Sequence, residues 1–224
     1  MNRLFLILTL LTLTACSIPV DAPPPPTALP ADTPLPTFSP APAFTPLPAL
    51  TETPASTSAP AFCNDPRGSE LIASLRAAIQ TRDGALLASL VSPALGMDVR
   101  IFRDGNVINY DVEHAKFIFE TTFQADWGLH FASGEATKGS FQEIVLPSLQ
   151  KIFSANTETA CNELKTGGVT YLPAWQYPGM DFYSIHFPGT DQYSGLDWQT
   201  WAVGMAPVDG KLYITALSHF VWEP

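Results

Sequence analysis

This chain is short of basic residues, short of cysteine and without any long apolar run, and each shortage removes a class of function. Eleven Lys and Arg stand against twenty-one Asp and Glu, for a formal charge of -10. Nucleic acid is therefore excluded as a partner, because phosphate binding needs a basic stripe that these scattered residues do not form. Three cysteines without metal-type spacing, and no HExxH or EF-hand loop, leave no recognisable metal site. A serine-hydrolase GxSxG is absent, and Gly167-Gly168 lacks the lysine and following helix of a phosphate loop. No motif implies a cofactor. The apolar run from Leu4 to Ala15 has twelve residues, against the roughly 20 a helix needs to span a bilayer.

That run is a signal rather than a span: Arg3 precedes it as a short basic region, and it stops at a cysteine. Leu13-Thr14-Ala15-Cys16 resembles the lipobox of bacterial lipoproteins, in which a small residue precedes a cysteine that is acylated before the signal is cut. The resemblance implies that residues 1–15 are removed and that Cys16 becomes the lipidated first residue, with the membrane as its partner through that anchor. Multiple acylation is what permanent attachment requires, since a single chain holds only reversibly. The alternative is an ordinary secretory signal that happens to end in Ala-Cys.

From Ser17 to Ala61 there is no Gly, Lys or Arg, and prolines recur from Pro19 to Pro60. Proline forbids helix interiors and favours polyproline II at about 3.1 Å per residue, so residues 16–61 are expected to form a stalk reaching up to roughly 140 Å. The remainder, residues 62–224, suits a single domain with a substantial core. With Cys16 committed to lipid, Cys63 and Cys161 remain as an even pair in an exported chain, where a disulfide persists. A loop of about 100 residues would contribute at most roughly 4.7 kcal/mol in the chain-entropy model. The alternative is two buried free thiols.

Leu71, Ile72, Leu75 and Ile79 recur at helical spacing behind a Ser69 cap, and Leu86, Leu87, Leu90 and Val91 continue the pattern after Asp83-Gly84. MDVRIF and VINY flank Asp104-Gly105, a type I′ hairpin signal. Asp111 is placed to cap a helix over VEHAKFIFETT, and Ser140 with Glu143 forms a capping box for a helix to about Ser154, kinked or reset at Pro147. GVTYL, DFYSIHF, DWQTWAVGMAPV and KLYITALSHFVW read as strands, the last two joined by Asp209-Gly210.

A tight turn there pairs Val208 with Lys211, Ala202 with Leu217 and Thr200 with His219. One face would then show Trp201, Val203, Met205, Ile214, Ala216 and Phe220; the other would show Trp198, Thr200, Ala202, Tyr213, Leu217 and His219. Large apolar groups on both faces call for a helix layer on the first and a partial cover on the second. The order is α+β, with helices packed on a curved antiparallel sheet. It resembles the cone of the nuclear-transport-factor-2 (NTF2) type; a cystatin-like sheet wrapped on a helix is the alternative.

The ending PGTDQYSGLDWQTWAVGMAPVDGKLYITALSHFVWEP is similar to that of a group of exported bacterial domains closing on an Asp-Trp strand, a Gly-Lys-aromatic turn and a His-x-x-Trp terminus. SPALGMDVRIF, Trp127-Gly128 and GSFQEIVLPSL extend the similarity over most of residues 88–224. The resemblance implies an exported, cell-envelope domain and no particular reaction. Gln199 stands where those relatives often carry a basic residue, which weighs against an anion site.

Asp111, Glu113 and His114 form a tempting metal cluster, but only Asp111 and His114 share a helical face, and an acidic first turn is explained by the helix dipole. Ser184 and His186 share a strand face, a commonplace pairing. Asp197, Trp198, His219 and Trp222 are the best candidates for a ligand site, a carboxylate and an imidazole beside indoles; the competing reading makes the tryptophans core plugs and His219 a ladder residue bonded to Thr200. No catalytic residue is assigned. The expected function is a lipid-anchored extracytoplasmic domain that binds a small molecule or an envelope protein, against a small-substrate enzyme using Asp197 and His219, or a purely structural envelope protein. Cys16→Ala is expected to release the protein from the membrane fraction or leave an unprocessed precursor. Fatty-acid labelling that persisted in that variant would contradict the anchor.

Overall fold

The computed structural model describes residues 59–154 and 156–223; the signal, Cys16 and the stalk as far as residue 58 lie outside the described residues. Helix α1 (Ala59–Cys63) overlaps the last residues assigned to the stalk, and Phe62 is buried in the core. Helix α2 (Pro66–Thr81) is capped by Asp65, whose carboxylate accepts from the Arg67 N–H, with proline at the first position. Ser69, the expected cap, instead lies one turn inside and donates to the Pro66 carbonyl. Asp83 caps α3 (Gly84–Leu90), as its Asp-Gly break suggests.

Strands β1 (Met97–Arg100) and β2 (Ile108–Tyr110) pair antiparallel, but the connection is residues 101–107 rather than a two-residue turn. Neither Asp104 nor Gly105 has positive φ. Gly105 is there for close approach: a Cβ on it would lie 2.7 Å from the Trp127 carbonyl oxygen. Asp111 caps α4 (Val112–Lys116), which ends earlier than its apolar pattern suggests and continues as i→i+3 turns through Glu120. Strands β3 (Ala125–Leu129) and β4 (Ala136–Gly139), legible in no alternation, form a separate two-stranded sheet. The capping box of Ser140 and Glu143 opens α5 (Phe141–Ile144), and Pro147 resets the chain into α6 (Leu146–Ser154).

Strands β5 (Glu158–Cys161), β6 (Asp181–Phe187), β7 (Gln199–Val208) and β8 (Lys211–Val221) complete a six-stranded sheet of order β2-β1-β8-β7-β6-β5. The sheet is mixed rather than wholly antiparallel, because β1 runs parallel to β8. Hairpin signals orient consecutive strands only, so a pair separated by most of the domain carried no such information. GVTYL is not a strand: Trp198 Nε1 donates to the Gly168 carbonyl, and Thr170 donates to that of Glu223. Cys63 and Cys161 are disulfide-bonded, with Cα atoms 5.7 Å apart, which ties α1 to edge strand β5.

The β7–β8 turn is as expected, with Asp209 and Gly210 both at positive φ and Val208 opposite Lys211. Beyond Met205↔Ile214 the register shifts by one, to Gly204↔Ala216, leaving Thr215 as an extra residue on β8. Ala202 therefore faces Ser218, Thr200 faces Phe220 and Trp201 faces His219. The expected face assignments of Ala216, Leu217, His219 and Phe220 are exchanged. Trp201, Val203, Met205, Ile214 and Leu217 join the helix-side core with Leu75, Leu149 and Phe153. Trp198, Ala202, Phe182 and Phe220 form a second cluster on the outer face, covered by Leu164 and Trp175.

A one-residue deletion at Thr215 removes the extra residue and leaves the pairing on both sides of it intact, with Ile214 opposite Met205, Ala216 opposite Gly204, Leu217 still inward and Phe220 still outward. In an unbulged ladder the same deletion would exchange the faces of everything beyond it. The deletion is therefore expected to keep the cooperative thermal transition, as is Thr215→Val, and to stay below the roughly 4 kcal/mol or more that exchanging the core face of β8 would cost. A deletion variant without a cooperative transition would contradict the bulged register.

Candidate functional site

Four elements converge at the end of the sheet where β8 stops. The β1–β2 connection brings Phe102, the β3–β4 turn brings His130 and Phe131, the start of β7 brings Gln199, and the end of β8 brings His219 with Trp222 beyond it. They line a cleft of about 390 Å³ that also takes in Asp197 and Trp198. His130 and Phe131 stack at 4.6 Å, and Phe102 meets both rings edge-on. The four residues singled out from sequence are thus neighbours of one cleft, yet they play different parts in it.

His219 is largely buried. Its ring stacks on Trp201 at 4.6 Å, its Nε2 lies 3.1 Å from Ser148 Oγ and 3.3 Å from Gln199 Oε1, and its Nδ1 lies 3.4 Å from the Ile101 carbonyl. Trp201 Nε1 donates to the same Ser148 hydroxyl at 3.0 Å, and Ser148 donates to Gln199 Oε1 at 2.9 Å. This network joins the first turn of α6 to the paired ends of β7 and β8. Burial pushes the His219 imidazole down to about 4, so it stays neutral at ordinary pH. Sequence spacing offered no pointer to Ser148, which lies 51 to 71 residues from its strand partners Gln199, Trp201 and His219.

Asp197 is engaged elsewhere. Its carboxylate accepts from the Thr190 N–H at 2.7 Å and the Thr190 hydroxyl at 3.1 Å, closing the loop before β7. The Thr190 N–H holds it below the usual carboxylate range. No hydrogen bond or ion pair joins Asp197 to His219 among the described residues. Trp198 is fully buried in the outer cluster, a core plug, whereas Trp222 is half-buried at the cleft.

The other candidates are structural. His114 Nδ1 lies 2.8 Å from Asp111 Oδ1 on an exposed helix turn without Glu113, and no group of three His, Cys, Asp or Glu able to hold a metal occurs among the described residues. Ser184 and His186 are both buried beneath the outer cover. Ser184 donates to the Glu163 carbonyl, and His186 Nδ1 lies 2.8 Å from Thr200 Oγ1, which itself donates to the Lys165 carbonyl.

His219→Ala is expected to lose the stacking and leave Ser148 short of a partner, destabilising the fold by about 1 to 3 kcal/mol. Because the folded imidazole titrates near 4 and the unfolded one near 6.5, its contribution is intact above about pH 6.5 and is lost as pH falls from there to about 4, by on the order of 1 to 3 kcal/mol. Chemical denaturation of parent and variant across that window tests both, and equal acid sensitivity would contradict them.

No family model and no curated protein matches this chain. Among solved structures it is similar to a calcium/calmodulin dependent protein kinase II association domain from Xanthomonas campestris. The two are 13% identical over 68% of this chain and 84% of that one, with a TM-score of 0.26, and a likeness at that score carries nothing about ligand or partner.

Proposed function

We propose that this protein is a lipid-anchored extracytoplasmic binding domain, held away from the membrane by its proline-rich stalk and built on an NTF2-like cone. The anchor and the stalk rest on Cys16, the run before it and the composition of residues 17–61. The cone is supported by the succession of helices, hairpin, helices and meander, and by α2, α3 and α6 packing on one face of the sheet. A cystatin-like sheet wrapped on one helix accounts less well for that layer.

One observation favours binding over catalysis. The acid and base candidates lie at one cleft, yet each is held in its own structural hydrogen bonds. General acid–base work needs a group free to reach substrate and titrating near the operating pH. A neutral His219 and a carboxylate closed on Thr190 do neither. What the cleft does present is ring surface from Phe102, Phe131 and Trp222, with the Gln199 amide as a hydrogen-bonding group. That combination suits a small ligand with a flat, weakly polar face and a polar edge.

A panel of envelope disaccharides, aromatic acids and amines is expected to contain compounds that raise the melting temperature of the parent protein and leave that of Trp222→Ala unchanged. A panel that shifts neither protein, or both equally, would contradict a binding role for this cleft.

A further inference from the structure

A second, larger cleft lies at the β2 edge of the sheet and shares no lining residue with the first. Strand β2 is the last strand of the six-stranded sheet and pairs only with β1. Strand β3 pairs only with β4. Each therefore has one strand edge without a ladder partner among the described residues. Residues 106–110 and 123–126 line a cleft of about 850 Å³ between these two segments. At one end the cleft is closed: the Asn106 N–H donates to the Trp127 carbonyl at 3.1 Å, and the Asn106 amide donates to that of Asp126 at 3.0 Å. There the backbones touch, since a Cβ on Gly128 would lie 2.9 Å from the Gly105 Cα. Tyr110 and Ala125 are buried beneath the cleft, while Val107 and Phe123 remain 38% and 64% exposed at its rim. A smaller hollow of about 290 Å³ continues it past Phe117, itself 54% exposed.

We propose that this cleft is a strand-accepting slot for an extended segment of a partner protein, which inserts between β2 and β3 and joins the two sheets. Open strand edges are templates for pairing, and proteins that do not use them shield them with charge, proline or a covering element. Here Val107 and Phe123 leave apolar side chains exposed at the rim, beside the uncharged Asn109 and Gln124 and the single carboxylate of Asp126. Backbone hydrogen bonds to the edges supply affinity, and alternate side chains of the guest reach the floor at Tyr110 and Ala125. Asn106 is spent on the closed end, so the open stretch is residues 107–110, about 13 Å of strand. The guest is apolar on one face with basic flanks: the formal charges lining the cleft and its extension are Asp126 and Glu113, and His114 is already bonded to Asp111. Lys138 pairs with Asp126 at 3.6 Å and Lys116 lies over Phe117, so the acidic bias is modest and the edges dominate. The chain's own stalk is a poor guest, because proline every few residues removes the N–H groups a ladder needs.

The test uses the processed full-length protein in detergent and a blocked heptapeptide, acetyl-KVTVTVK-amide, beside the same peptide N-methylated at its central residues. The plain peptide is expected to bind and to slow amide exchange at residues 108–110 and 125–127, whereas the methylated one binds at least tenfold more weakly. Phe123→Asp, an exposed position whose melting temperature should match the parent's, is expected to weaken the plain peptide at least tenfold. No binding at millimolar peptide, equal binding of both peptides, or protection outside the slot would overturn the proposal. Concentration-dependent dimerisation with protection of residues 108–110 in the absence of peptide would overturn it too, by making a second copy the guest.

Discussion

The one-residue bulge at Thr215 decides which side chains of β8 belong to which face of the sheet, and the rest of the domain is arranged around that decision. Opposite it stands Gly204, where a Cβ would lie 2.7 Å from Met180 Sδ and 3.0 Å from Trp175 Cζ2. The cover of the outer face thus comes down on the sheet at the bulge itself. Trp175 Nε1 donates to the Met180 carbonyl, its ring stacks on Phe182 at 4.5 Å, and the Thr215 hydroxyl lies 3.3 Å from Met180 Sδ. Beyond this point Leu217 and His219 turn to the helices, and Phe220 turns to the cover.

Face assignment then determines chemistry. On the helix side, His219 is drawn into the network of Ser148, Trp201 and Gln199, which fastens α6 to the sheet and keeps the imidazole neutral. On the outer side, Ser184, His186, Thr200 and Ser218 would be a polar stripe exposed to water in a simple meander. They are buried because the segment after β5 lays carbonyls of Glu163 and Lys165 and the Gln176 amide against them. Both faces are therefore interior, and function is left to the ends of the sheet, where the β3–β4 ribbon borders both clefts.

Much of this was legible in the residues. Asp83-Gly84, the Ser140–Glu143 box, the reset at Pro147 and the Asp209-Gly210 turn are local devices, and local sequence specifies them. The cysteine pair followed from counting. What escaped depends on distant contacts: a bulge has no residue signature when the flanking strand alternates normally, and β1 meets β8 only after the whole chain has folded. Asp104-Gly105 misled for the same reason, because its glycine answers to Trp127 rather than to a turn. The four candidate ligand residues line one cleft, but Trp198 and His219 hold the fold, while the rings of Phe102, His130 and Phe131, which carry no motif, supply the surface.

The role given to His219 stands on its place opposite Trp201. Cross-strand proton contacts measured by NMR in the labelled protein address it directly. The bulged ladder predicts contacts pairing Trp201 with His219 and Thr200 with Phe220, alongside Val208 with Lys211 at the turn. Contacts of Thr200 with His219 together with the same turn pairing would mean an unbulged ladder, a His219 on the outer face, and no basis for separating a binding cleft from a structural network.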